Sequence, residues 1–153
     1  MENRLETLRN HIDSLINHDD MRMCISHVYG VARFCTLLAM KRNMDIELAT
    51  TCGMLHDIHW ISGGSSDNHA AKGAEQAKII LKAMNLYSND EIKTITTAIS
   101  NHSDKGSVHG SYDELLKDAD VMDHCFYNTA FVIADKEMFR YKNLLDEFGI
   151  AHN

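Results

Sequence analysis

Residues 46–58 read Ile46-Glu47-Leu48-Ala49-Thr50-Thr51-Cys52-Gly53-Met54-Leu55-His56-Asp57-Ile58. Ala49, Cys52, Gly53 and His56 recur at intervals of three and four, which predicts a helix from Ile46 to about Ile58 with these residues on its buried face. Asp45 supplies an N-cap. Near its end the stretch carries His56-Asp57, at a position that reads as interior. A charged carboxylate placed there is costly unless it is paired or ligates a cation. A second His-Asp pair, His18-Asp19, falls in a polar break and reads as solvated turn residues.

The same periodicity extends in both directions. Proline is absent, so nothing forces a helix to break. A first helix is expected from about Glu2 to Asn17, ended by His18-Asp19-Asp20. A longer one follows, with Ile25, Val28, Ala32, Cys35, Leu38 and Ala39 on one face. Trp60–Asn68, with its Gly63-Gly64-Ser65-Ser66 core, reads as a loop. A helix is expected from His69, and Ser88-Asn89-Asp90-Glu91 opens another as a capping box that runs to His102. Ser103–Gly110 reads as a second loop, and Ser111-Tyr112-Asp113-Glu114 as a further capping box. Two more helical stretches, Phe126–Ala134 and Lys136–Phe148, are expected at the end. No alternating strand, repeat or linker appears. The fold expected is all-α, a single compact bundle of about six to eight helices spanning 1–153.

Composition narrows the function. The chain carries 44% hydrophobic and 24% charged residues, a soluble globular balance. No apolar stretch reads as long enough to cross a bilayer and no signal peptide is evident, so a cytoplasmic location without a membrane partner is expected. Cys24, Cys35, Cys52 and Cys125 form no CxxC pair; three of them sit inside apolar helical patterns and read as core residues, a usage that fits a reducing compartment. The net charge of −7 argues against a nucleic acid polymer as partner. A small phosphorylated substrate is compatible with it, provided a metal supplies local positive charge.

Histidine, at ten residues, is abundant. His27 interrupts the apolar face of the second helix, His102 closes the fifth, and Asp120 lies one turn after Leu116 on the apolar side of its own. Imidazoles and carboxylates spread over several helices suit a metal site built inside a bundle. The order His27, His56-Asp57, Asp120 resembles the HD superfamily of metal-dependent phosphohydrolases. The flanking words "SHVYGVARF", "ATTCGMLHDI" and "LLKDADVMD" resemble it too, as do "HAAKGAEQAKIIL" from His69 and "AISNHSDKG" around His102.

The resemblance implies metal ligands at His27, His56, Asp57 and Asp120. The family's pattern puts the last ligand after the alanine, which favours Asp120 over its neighbours Asp118 and Asp123. His69 and His102 stand where two-metal members place extra ligands, so a dinuclear centre bridged by Asp57 is an option. A lysine that many such members carry after the HD pair is replaced by Trp60. His59 is the candidate to substitute for it as a phosphate contact or proton donor, with Lys72 as a second catalytic candidate. Arg22, Arg33, Lys72 and Lys105 lie near the ligands in sequence and are candidate substrate contacts. A site of His and Asp without thiolate suits Mn, Fe, Co, Ni or Zn, as one or two ions. The activity implied is hydrolysis of a nucleotide or other small phosphate ester by metal-activated water. The alternative is a non-catalytic metal-bearing module with a regulatory or ligand-sensing role. A homodimer is compatible with either.

Overall fold

A computed structural model describes residues 3–16, 22–128 and 132–151. Among these there are eight helices and no strand. The expected turn at His18-Asp19-Asp20 lies outside the described residues.

Helix α1 (Arg4–Leu15) starts at Asn3, whose side chain accepts from the Glu6 amide. It buries Leu8 and Ile12 completely. Helix α2 (Arg22–Arg42) is the longest element and packs against α3 (Ile46–Leu55) and α7 (Ser111–Tyr127). α2 is in fact long and apolar enough to span a membrane, contrary to the expectation from sequence. Its apolar side faces protein: Val28, Val31, Ala32, Cys35, Leu38 and Ala39 are all core residues. Asp45 caps α3 as expected, accepting from the Leu48 amide at 2.8 Å. A Cβ on Gly53 would lie 2.7 Å from the Ala32 Cα, so α2 and α3 meet backbone to backbone at this residue.

The helix beginning at Ile46 stops at Leu55, three residues earlier than expected. His56 Nδ1 donates to the Gly53 carbonyl at 2.7 Å, and the chain restarts as a short helix α4 (Ile58–Ile61). His56 and Asp57 therefore sit in a break, both turned inward. Trp60 and Ile61 belong to α4 and not to the loop expected there. α5 (His69–Met84) and α6 (Asn89–Asn101) pair closely. Asn68, the residue before α5, adopts a left-handed conformation. The Ser88/Glu91 capping box is present in full.

Helix α7 departs from expectation at its start. Gly110, not Ser111, is the N-cap, and no capping box forms. The Glu114 side chain instead accepts from the His109 amide, Lys117 and Arg140. The separate helix expected over Phe126–Ala134 is also corrected. Phe126 and Tyr127 end α7, residues 132–134 are not helical, and α8 (Asp135–Phe148) follows. α8 packs on α7, and its Arg140 holds the loop before α7 through the Lys105 carbonyl at 3.1 Å.

Candidate metal centre

Five parts of the chain bring their polar residues to one place. His27 comes from the first half of α2, and His56-Asp57 from the break after α3. His69 is the first residue of α5, His102 is the C-cap of α6, and Asp120 and His124 lie one turn apart on α7. Gly30 lets α7 approach α2: a Cβ there would overlap the Asp123 carboxylate. Gly73 lets α5 approach the break, where its Cβ would lie 3.3 Å from the His56 carbonyl.

Asp57 is central. Its Oδ2 lies 3.5 Å from His56 Nε2 and 3.8 Å from His27 Nε2. Its Oδ1 lies 3.5 Å from His102 Nε2 and 3.7 Å from His69 Nε2. Asp120 Oδ1 lies 3.2 Å from His27 Nε2, while its Oδ2 accepts from buried Lys105. Both Asp57 Oδ1 and Asp120 Oδ1 are buried and have no hydrogen-bond partner. A buried carboxylate oxygen left in that state costs free energy that a cation would recover.

The imidazoles give a second indication. His27 Nδ1 donates to Asp123, His56 Nδ1 to the Gly53 carbonyl, and His102 Nδ1 to the Ile99 carbonyl, each at 2.7 Å. His69 Nδ1 donates to the Ser66 carbonyl at 3.1 Å. Carbonyls and carboxylates only accept, so each Nδ1 carries a proton, and each ring, when neutral, presents a lone pair at Nε2. Yet His27 Nε2 and His56 Nε2 are 3.2 Å apart, as are His69 Nε2 and His102 Nε2. Lone pairs facing at that distance repel unless a proton or metal ion lies between them. Ring N–H groups tied to oxygen with the other nitrogen turned inward are the outer support that metal-ligating histidines use. The residues present thus fit a divalent cation.

Ionisation agrees with this. Burial opposes a charge on His27, but Asp120 and Asp123 outweigh it and push its pKa up to about 10. Without an ion, a proton takes part of the place a cation would hold. Burial brings His56 down to about 4, only partly offset by Asp57, so this ring is neutral and ready to ligate. Burial would raise the Asp57 carboxyl, but His56 and His102 keep it below the ordinary range. Burial is likewise overcome at Asp120 by Lys105 and His27.

Three overlapping donor groups result: His27 with His56 and Asp57, Asp57 with His69 and His102, and His27 with Asp120 and His124. Asp118 faces elsewhere, bound by Arg42 at 2.8 Å and Arg140 at 2.9 Å. Asp123 acts on His27 from outside. The carboxylate of this stretch that enters the cluster is Asp120.

A cavity of about 760 Å³ opens onto these donors. His27, Asp57, His69, His102, Lys105 and Asp120 line it, while His56 lies behind them. His59, Lys72, Arg22 and Arg33, taken from sequence as catalytic or substrate contacts, are not among the lining residues. The His59 ring covers Gly64, and Lys72, Arg22 and Arg33 are exposed. Lys105 does line the cavity, but its ammonium is committed to Asp120 and the His102 carbonyl. The lysine at the exposed rim is Lys136 of α8. His124 and Glu137, which sequence reasoning passed over, also line the cavity. The spacing of Asp120 and His124 was the available signal for the histidine.

The family model for the HD domain matches residues 24–125, two-thirds of the chain and every donor named above. The chain belongs to the HD domain family. Among solved structures, a predicted HD superfamily hydrolase from an uncultured Thermotogales bacterium is similar to it, with a TM-score of 0.68 and 22% identity. That similarity covers 95% of this chain and 89% of the other, and bears on the fold. No curated protein matches the chain. The all-α HD fold expected from sequence is therefore the one observed, and its His/Asp clusters can hold a metal.

Proposed function

We propose that this HD domain is a metal-dependent phosphohydrolase acting on a small phosphate ester, with a nucleotide as the favoured substrate. The observation that carries the reading is the pair of buried, unpartnered oxygens on Asp57 and Asp120, surrounded by inward-facing imidazole nitrogens at the floor of an open cavity. His27, His56, Asp57 and Asp120 would hold one ion, and Asp57, His69 and His102 a second. A divalent metal bound there supplies a water of lowered pKa and polarisation of a phosphoryl oxygen.

The chain's own residues do the rest. Lys105 fixes one oxygen of Asp120 and so directs the other at the imidazoles. Asp123 and the backbone carbonyls hold the rings in register. Phosphate enters on the donor side, while Met23, Trp60, Tyr127 and Val132, all exposed, form an apolar rim. Trp60 and Tyr127 offer faces on which a nucleobase stacks. The recessed site and the acidic surface favour a mononucleotide or dinucleoside polyphosphate over a polymer.

The test is a hydrolysis screen of the metal-loaded protein on mononucleotides, dinucleoside polyphosphates and aryl phosphates. Phosphate release that requires added metal and is lost in Asp57→Asn supports the reading. Metal-loaded protein with no turnover of any of them overturns it in favour of a non-catalytic module.

A further inference from the structure

His124 stands among the other four imidazoles of the cluster. It lines the same cavity. Its ring stacks on His27 with centroids 4.9 Å apart and planes inclined by 4°. Its Nε2 lies 3.6 Å from Asp120 Oδ1, the buried oxygen that lacks a hydrogen-bond partner. Its Nδ1 lies 3.2 Å from Glu137 Oε1, and Glu137 is a buried carboxylate on α8. Asp120 and His124 are one turn apart, so both reach the same side of α7.

We propose that His124 is a fifth imidazole ligand of the metal centre, binding through Nε2 beside His27 and Asp120, with Glu137 as its outer support. This inference rests on the metal-centre reading above and adds a donor to it. Four rings have Nδ1 held by an oxygen of the protein and Nε2 turned to the carboxylates, and His124 is built in the same way. Glu137 does for it what Asp123 does for His27. A buried carboxylate behind an imidazole fixes the ring's orientation and raises its basicity toward a metal. Elsewhere on a surface, a half-exposed histidine has no need of a buried glutamate from another helix. The ligand atoms of His27, Asp120 and His124 all fall within 4.8 Å of one another, a span one cation can bridge with small side-chain shifts. α8 is thereby given a role, since its Glu137 supports a ring that α7 adds to the donor set.

The experiment is calorimetric titration of the chelator-stripped full chain with Zn(II) and with Mn(II), in wild type, His124→Ala, His124→Gln and Glu137→Gln. His11→Ala, on the exposed face of α1, is the control. Far-UV circular dichroism checks that each variant is folded. His124→Ala and His124→Gln are expected to lose one class of bound ion or weaken it at least tenfold, and Glu137→Gln to weaken it by about 10- to 100-fold. His11→Ala should match wild type. Unchanged stoichiometry and affinity in both folded His124 variants would overturn the inference and leave the metal centre intact. Failure of wild type itself to bind either ion would instead overturn the underlying reading, so the two outcomes are distinct.

Discussion

Replacing Asp118 by Asn separates the scaffold of α7 from its chemistry. Asp118 and Asp120 are two residues apart on one helix, so their side chains diverge by roughly 200° around its axis. Asp120 points into the cluster, whereas Asp118 is clamped between Arg42 of α2 and Arg140 of α8. Its side chain is 14% exposed, those of Arg42 and Arg140 are 24% and 9% exposed, and the pairs are therefore partly shielded from water. Asn preserves shape and one acceptor but sets an NH₂ against a guanidinium. Arg42 retains Glu147 and Arg140 retains Glu114, so neither cation is stranded. The net loss expected is about 1–3 kcal/mol for weakened charge-assisted bonds. For a chain of this size that corresponds to a fall of roughly 2–12 °C in melting temperature. Metal content and phosphatase kcat should stay within about twofold of wild type, a change below 0.5 kcal/mol by the usual conversion. Thermal melts and elemental analysis on the same samples check both halves. Loss of bound metal with an unchanged melting temperature would refute the assignment of Asp120 over Asp118.

Gly30→Ala should push Asp123 away from His27 Nδ1 and weaken metal binding by about 10-fold, measured by titration, because outer support of a ligand has that worth. Trp60→Ala should raise KM for a nucleotide several-fold and leave metal affinity unchanged; equal effects on both would argue against a rim role. Arg22→Ala, Arg33→Ala and Lys72→Ala, outside the cavity lining, should each leave kcat/KM within about twofold, a negligible barrier change. Stability should fall in acid partly through Glu114. Burial would raise its carboxyl, but Lys117 and Arg140 prevail and bring its pKa from 4.5 to about 2. A depressed folded pKa contributes stability that is complete above 4.5 and is lost as pH falls toward 2. Glu114→Gln should therefore be less stable than wild type at neutral pH, with the gap closing across that window in urea melts.

The helical skeleton was legible because the chain carries no proline and keeps its apolar residues at intervals of three and four. Asp45 and the Ser88/Glu91 box mark their helix starts by local chemistry alone. The break after Leu55 was not legible: apolar periodicity runs unbroken to Ile58, and what ends the helix is the His56 ring taking the Gly53 carbonyl. Ser111–Glu114 fits the capping-box pattern equally well, but Glu114 is drawn off by Lys117 and by Arg140, a residue 26 positions away. His27, His56, Asp57, His69, His102 and Asp120, the set implied by the family resemblance, are placed together by the fold. The cations were the weaker part, because nearness in sequence to a ligand says nothing about which side of a helix a lysine takes. Lys72 points outward, and Lys105 spends its charge on Asp120. His124 was overlooked beside two neighbouring aspartates, although its spacing from Asp120 already put both on one face.

The two unpartnered carboxylate oxygens and the inward-facing imidazoles are expected to hold a metal ion. Elemental analysis of protein purified without chelator, then dialysed, tests it directly when wild type is set against Asp57→Asn and His56→Ala. At least one equivalent of a divalent transition metal is expected in folded wild type and almost none in either folded variant. Metal-free wild type that also fails to take up Mn, Fe, Co, Ni or Zn, or full occupancy in both variants, would contradict it.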